Sequence, residues 1–415
     1  MKNQLIPTLA RLLACLILLI GLSCSKDSAG PDPDQTPDPI ENPNTDSDPD
    51  PDPDPDPDPQ SQTDLPDVDA SVRSFLETYD VPGAALAVSV DERLVYTKGY
   101  GLADVATQTP VRADDVFRIA SISKVFTAAA VWKLIDAGTL HPEDKVFGSQ
   151  GILGEDFGTA QLTADELDIT IDHLLTHELG GWGVSSGGDP IDYQPELGNS
   201  QFIEYLLNNW DLSHAPGEAF SYSNTGYWLL ARIIEVASGQ SYEAYLENLL
   251  SPIGITSFKT TTFRESDREP NEVEYYGTAA DAPYIYSIAS RRDGDGGVVI
   301  SAPDLLRFLC AIDGMNIRPD ILSATARQQM IRPSSLQSNI TRGLAFWEQQ
   351  DLYYFTGSLP GNRSWFMIGN NGVSATILLN YRRSDLPAFD ADLQNLLLNL
   401  VKDGSIDWQT GLDQF

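Results

Sequence analysis

Hydrophobic positions along this chain change period several times, and each change marks a predicted element. Ala70–Tyr79 reads as a short amphipathic helix, and Ala84–Val90 and Arg93–Tyr100 as two strands around an Asp91-Glu92 turn, a β-hairpin. A second helix is predicted from Ser121 to Ala137, with Ile122, Val125, Ala129, Trp132 and Ile135 at helical spacing and Gly138 as its C-terminal stop. Helical patterns then dominate: Ile171–Leu175, Ser200–Asn209, Tyr222–Ser238 closed by Gly239, and Tyr242–Leu250. Strand patterns return near Tyr353–Thr356, Ser364–Ile368 and Ala375–Asn380, before a last helix from Pro387 to about Val401. Strands at both ends with helices between predict an α+β fold. Its expected form is one antiparallel sheet flanked by N- and C-terminal helices, with an inserted all-helical subdomain at about 140–285.

The N-terminal 66 residues follow other rules. Lys2 and Arg11 precede an apolar run from Leu12 to Leu22, the layout of a secretory signal and too short to span a bilayer, which needs about 20 residues. Gly21-Leu22-Ser23-Cys24 resembles a bacterial lipoprotein processing site, although Leu stands two rather than three positions before Cys24. Residues 1–23 are therefore expected to be a signal peptide and Cys24 an acylated first residue. Ordinary signal-peptidase cleavage nearby is the open alternative. Residues 24–66 are expected to form a tether dominated by the Pro-Asp repeat from Asp48 to Pro59. Proline fixes φ and like charges repel, so this stretch cannot pack as a core; at about 3.1 Å per residue, residues 31–59 reach roughly 90 Å. A partner-binding or calcium-chelating role for the repeat is the alternative. Residues 67–415 form the expected globular domain.

Composition narrows the function classes. Apolar residues make up 41% of 415 positions, enough to build a core. The formal charge is −34, and residues 30–60 hold eleven of the acidic side chains and no Lys or Arg. The remainder is still acidic, a field that repels nucleic acid and anionic lipid. Nucleic-acid binding is thus excluded as an expectation, and membrane contact is expected through a lipid anchor alone. Cys15 and Cys24 lie in the signal region, which leaves Cys310 without an internal disulfide partner. His141, His173, His177 and His214 form no recognisable ligand set, so His173 and His177 read as packing or capping residues rather than a zinc site. No metal or cofactor is expected.

Candidate chemistry begins at Ser121-Ile122-Ser123-Lys124. On a helix, residues three apart share a face, so the Lys124 amine can reach the Ser121 hydroxyl. A serine hydroxyl is a weak nucleophile until a neighbouring base takes its proton, and a desolvated lysine can be that base. The pattern alone is weak, since Ser23 and Lys26 repeat it inside the signal region.

The surrounding residues make it specific. Val81-Pro82-Gly83-Ala84, Lys98-Gly99-Tyr100-Gly101, Phe117-Arg118-Ile119-Ala120-Ser121, His173-Leu174-Leu175-Thr176-His177, Tyr222-Ser223-Asn224-Thr225-Gly226-Tyr227, Gly296-Gly297 and Thr356-Gly357-Ser358-Leu359-Pro360-Gly361 follow in order. From about Val81 to Asn380 the chain resembles the serine β-lactamase and penicillin-binding-protein-like hydrolases, nearest the class C and family VIII esterase branch. The resemblance implies Ser121 as nucleophile, Lys124 as the lysine one turn on, Tyr222 as a proton-transfer partner and Asn224 as the amide that orients Lys124 and binds the acyl side. It implies an oxyanion hole from the backbone of Ser121 and Ser358, and Phe355, Thr356, Gly357 and Ser358 as the substrate-binding strand.

Two departures stand out. The family places Lys, or often His, where this chain has Phe355, which neither carries charge nor donates a hydrogen bond. Recognition of a β-lactam or D-Ala-D-Ala carboxylate is thereby put in doubt, and neutral esters become the natural substrates. Arg363 is either a substitute for the missing charge or, as favoured here, an exposed arginine without a role. The second departure is Glu178-Leu179, where the family has Thr-Ser. The expected function is a lipid-anchored serine hydrolase of the bacterial envelope, an outer-membrane lipoprotein facing the periplasm or the exterior. It would cleave a small-molecule or peptide ester or amide through an acyl-enzyme at Ser121. Alternatives are a catalytically idle member that binds a cell-wall peptide or a protein partner, and a β-lactamase or D,D-peptidase.

Overall fold

The computed structural model describes residues 65–415 except 262–263, 279–282, 284–290 and 316. The expected signal peptide, Cys24 and the Pro-Asp tether lie outside the described residues. The described chain begins in α1 (Pro66–Tyr79), where proline in the first turn and the early Asp67 and Asp69 suit a helix N-terminus. The hairpin β1 (Gly83–Val90) and β2 (Arg93–Asp104) follows. Its turn residues Asp91 and Glu92 both have positive φ, 49° and 58°, the combination whose twist matches that of paired strands. Next come β3 (Thr109–Pro110), β4 (Val116–Arg118), α2 (Ser123–Asp136), α3 (Ala164–Asp168), α4 (Ile171–Leu175) and α5 (Asn199–Asn209). They are followed by α6 (Asn224–Ser238), α7 (Tyr242–Leu250), β5 (Lys259–Thr260), β6 (Tyr276–Gly277), α8 (Asp293–Gly296) and β7 (Val298–Ser301). The chain closes with α9 (Ala302–Cys310), α10 (Ala324–Met330), β8 (Ala345–Trp347), β9 (Leu352–Leu359), β10 (Asn362–Gly369), β11 (Val373–Leu379), β12 (Tyr381–Arg382) and α11 (Pro387–Lys402).

The main sheet runs β3-β2-β1-β11-β10-β9-β8 and is antiparallel throughout. Its middle joins the two ends of the domain, with Ala84 opposite Leu379 and Val90 opposite Val373. Side chains alternate between two cores, as the period of a strand demands. Leu86, Val88, Met367 and Ile377 pack with Phe75 and Leu76 of α1 and Phe389, Leu393 and Leu397 of α11. Ala85, Ala87, Phe366 and Leu378 face α2, α6 and α9.

The predicted apolar stripe of the Ser121 helix understates its burial. Besides Val125, Ala129 and Trp132, the residues Phe126, Ala128, Ala130 and Val131 are also buried, while Ile135 is only partly so. A helix apolar on all sides is enclosed by other elements, and α2 is, packed against α6, α8 and α10. The inserted segment carries helices joined by irregular chain from Ala164 to Ile253; beyond it, β5 and β6 pair with β7 and β12. Among the described residues no helix is long and apolar enough to cross a membrane.

Candidate active site

Ser121 does not open an α-helix. It sits in a 3₁₀ turn, Ala120–Ile122, and α2 starts at Ser123. The reason lies one residue earlier: Ala120 has φ +47°, a left-handed conformation that costs an alanine free energy and breaks helical geometry. The turn is held from three sides. Ser123 Oγ donates to the Ala120 carbonyl at 2.6 Å and accepts the Val298 N–H at 3.0 Å. Ser364 Oγ of β10 donates to the Ile119 carbonyl at 2.8 Å. Asn362 Nδ2 donates to the Arg118 carbonyl at 2.8 Å. Since i and i+3 eclipse in a 3₁₀ turn, Ser121 and Lys124 still share a face.

Lys124 is fully buried. Its Nζ lies 3.4 Å from Ser121 Oγ and donates to Asn224 Oδ1 at 2.8 Å and to the Asp295 carbonyl at 2.6 Å. Asn224 is the first residue of α6, and Ser223 caps that helix by accepting the Gly226 N–H at 2.9 Å. Tyr222 precedes the helix instead of belonging to it, because the cap position needs the extended backbone that Ser223 adopts. The Tyr222 ring centroid is 5.0 Å from Lys124 Nζ and stacks on the His177 ring at 4.4 Å. Ser121, Lys124, Tyr222 and Asn224, drawn from two segments about a hundred residues apart, are thus one cluster.

β9 supplies the facing wall. β8 pairs with it only at Leu352–Tyr354, so among the described residues no strand pairs with the outer edge of Phe355–Ser358. Gly357 lies against the Ile119 carbonyl, directly behind the Ser121 turn. Phe355 is partly buried and packs with the core on the α2 side. Ser358 turns its hydroxyl away, to accept from Arg382 Nη1 at 3.3 Å, and Thr356 shares that face by alternation. Arg363 corrects the expectation of exposure: it is buried, donates to the Gly357 carbonyl at 2.8 Å and pairs with Asp390 at 2.6 Å. Its charge is spent on the backbone of the strand.

Of three supporting groups, Asp189 and Arg292 escape sequence reading, and His177 reads there only as a packing or capping residue. His177, with φ +59°, accepts the Ser223 N–H on Nδ1 at 3.0 Å; burial and then the Lys124 charge push its imidazole down to about 3, so the ring is neutral. His173 accepts the Thr170 N–H as part of a helix cap. Among the described residues no group of His, Cys, Asp and Glu is arranged to hold a metal ion. Asp189 accepts from the first turn of α6, and Arg292 pairs with Asp295 at 2.7 Å just behind the carbonyl that holds Lys124. The Gly296-Gly297 pair is the only visible sequence signal for that stretch. Glu178, at the second departure, is buried and accepts the Ser334 hydroxyl.

Comparison with known proteins agrees with this geometry. The sequence profile of the Beta-lactamase family matches residues 68–399. The chain belongs to that family. Penicillin-binding protein 4 of Amycolatopsis lactamdurans is 29% identical over 328 residues, which cover 73% of this chain and 81% of that protein. The octameric penicillin-binding protein homologue from Pyrococcus abyssi superposes with a TM-score of 0.62 at 25% identity, covering 81% of this chain and 76% of the other. A class C β-lactamase from Rhodobacter sphaeroides shares the fold, with a TM-score of 0.62 at 19% identity over 80% of this chain and 98% of its own. The α+β architecture, antiparallel sheet and helices included, is the β-lactamase and penicillin-binding-protein fold of serine hydrolases.

Proposed function

We propose that this chain is a serine hydrolase that opens an ester or amide by way of a covalent acyl-enzyme at Ser121. The observation that carries the reading is the buried Lys124 amine, 3.4 Å from Ser121 Oγ, with two of its directions taken by Asn224 and the Asp295 carbonyl. Once it has given up a proton, the amine keeps two N–H bonds on those acceptors and turns its lone pair to the serine hydroxyl, the arrangement a general base needs. Oγ attacks the substrate carbonyl as its proton passes to Lys124, and the resulting oxyanion is met by the backbone N–H groups of Ser121 and Ser358. Collapse expels the alcohol or amine, which recovers the proton through Lys124 or Tyr222. Water then repeats the sequence on the acyl-serine and releases the acid.

Asn224 and the strand Phe355–Ser358 hold the acyl side, and the aromatic Phe355 favours a substrate that is neutral there. Penicillin-binding relatives support a D,D-peptidase or β-lactamase reading, but Phe355 leaves a substrate carboxylate without its cation. Incubation with a tagged fluorophosphonate and with a panel of p-nitrophenyl esters tests the proposal. Intact mass should show one adduct on the wild type and none on Ser121→Ala. No Ser121-dependent adduct or turnover across the panel would favour the idle, binding-only reading.

Anchoring is a separate proposal: Cys24 carries the lipid, and the Pro-Asp stretch holds the hydrolase away from an outer membrane, in the periplasm or at the cell surface. Metabolic labelling with an alkyne fatty acid should mark the full chain, and Cys24→Ala should abolish the mark.

A further inference from the structure

The loop before Asp189 is rich in glycine, and Gly180, Gly181, Gly187 and Gly188 all take positive φ between 101° and 142°. This backbone delivers a buried carboxylate to the start of α6. Asp189 Oδ2 accepts the Asn224 N–H at 2.6 Å, while Oδ1 accepts the Thr225 N–H at 3.1 Å and the Thr225 hydroxyl at 2.5 Å. Ser223 already caps the same helix from the adjacent position. A second cap, 35 residues away in sequence, adds a cross-link between the loop and Asn224, whose side chain holds Lys124.

The carboxylate is one member of a charged cluster. Arg292 binds Asp295 Oδ2 through Nε at 2.9 Å and Nη2 at 2.7 Å, and reaches Asp192 through Nη1 at 3.1 Å. The Asp295 main chain then accepts from Lys124. Both acceptors of the Lys124 amine therefore hang from one charged group, in which Asp189, Asp295 and Arg292 are buried and Asp192 lies exposed at the edge. Resting on the serine-hydrolase reading, we propose that Asp189 is a positioning residue of that site: it clamps the first turn of α6 and so fixes, through Asn224, the direction in which Lys124 meets Ser121.

The clamp has a titration. Burial, with the charges of Asp295 and Asp192 adding to it, pushes the Asp189 carboxyl up to about 6 against the bonds from Thr225 and Asn224. Ionised, it accepts all three donors; protonated, its own O–H occupies one oxygen and the clamp loosens. Activity falls as pH drops through about 6. Stability does not follow, because a carboxyl with a raised folded-state value favours the fold at low pH and loses that contribution as pH rises through 6. An acid limb in turnover without acid unfolding is the signature.

Asp189→Asn keeps the volume and replaces one acceptor with a donor facing an N–H. Crystal structures of the wild type and of this variant read the clamp with no reference to turnover. Asn224 Oδ1 should leave the Lys124 amine in the variant; a retained 2.8 Å contact overturns the proposal. In ester hydrolysis at pH 7.5 the variant should lose roughly 10–100-fold in kcat, the cost of a misplaced catalytic group, with KM within about twofold and no limb near pH 6. Unchanged kcat and an unchanged limb would leave Asp189 a helix cap only and overturn the positioning role. Thr225→Val, which removes one donor to Asp189 together with the acceptor of the Ile191 N–H and leaves Asn224 in place, gives a milder version of both effects if Asp189→Asn does not fold. Absence of Ser121-dependent turnover in the wild type would sink the hydrolase reading instead, and the crystal comparison would still decide the clamp.

Discussion

Gly357 of β9 rests on the carbonyl of Ile119, so close that a Cβ on the glycine would overlap the oxygen. The contact joins β9 to the turn that carries Ser121 backbone to backbone, where neither side can give. Gly357→Ala should therefore destabilise by about 1–3 kcal/mol through overpacking and lower activity further by pushing β9 off the turn. Gly404→Ala, where the added methyl meets nothing, should stay within about 0.5 kcal/mol. Urea unfolding of both variants is the measurement.

Lys124→Met keeps the packing of α2 and removes the amine. Hydrolysis should fall by roughly 10²–10⁴-fold, the usual worth of a positioned base. Asn224 Oδ1 and the Asp295 carbonyl lose a donor, which should cost about 1–3 kcal/mol in thermal unfolding. Turnover within threefold of the wild type would remove Lys124 from the mechanism.

Phe355→Lys restores a cation at the substrate end of β9. Hydrolysis of the carboxylate-bearing chromogenic cephalosporin nitrocefin should rise by roughly 10-fold or more, since a hydrogen bond to a charged group is worth about 1.5–3 kcal/mol. Neutral p-nitrophenyl esters should lose kcat/KM. The ratio of the two rates is the readout.

Arg363→Met leaves the Gly357 carbonyl without its buried donor, at a cost of about 1–3 kcal/mol. Asp390 is 54% exposed, so Asp390→Asn should cost only about 0–1 kcal/mol although it breaks the same ion pair. Similar losses from both variants in chemical denaturation would mean that the ion pair, not the carbonyl, is what Arg363 serves.

His177 is held neutral in the folded state with a value near 3, against an ordinary 6.5. As pH falls below 6.5 the unfolded chain takes the proton first. The stability from His177 is complete above pH 6.5 and is lost progressively toward pH 3, at up to about 1.4 kcal/mol per pH unit. His177→Gln should be less stable at pH 7.5, and its deficit relative to the wild type should shrink between pH 6.5 and 4. A constant deficit across that window would contradict the buried neutral ring.

Much of the fold was legible because periodicity is a local property. The hairpin around Asp91-Glu92, the strands that became β9–β11 and the last helix follow from neighbours in sequence, and order and spacing were enough to place Ser121, Lys124, Tyr222 and Asn224 in one family pattern. Boundaries at the site were not legible. The left-handed Ala120 that turns the start of α2 into a 3₁₀ turn, and the cap that leaves Tyr222 outside α6, depend on bonds from Ser364, Val298 and His177, all remote in sequence.

Arg363 shows the same division most plainly. Its charge and position were plain in the sequence, yet the partner that decides its role is a carbonyl on the neighbouring strand. Asp189 and Arg292 reach Lys124 only through a helix start and a main-chain oxygen that folding brings beside them. Composition and pattern, being sums over nearby residues, determined the class of fold and the chemistry on offer. Which groups touch Lys124, and from which direction, was decided by the tertiary structure alone, because a hydrogen bond depends on distances that sequence separation does not encode.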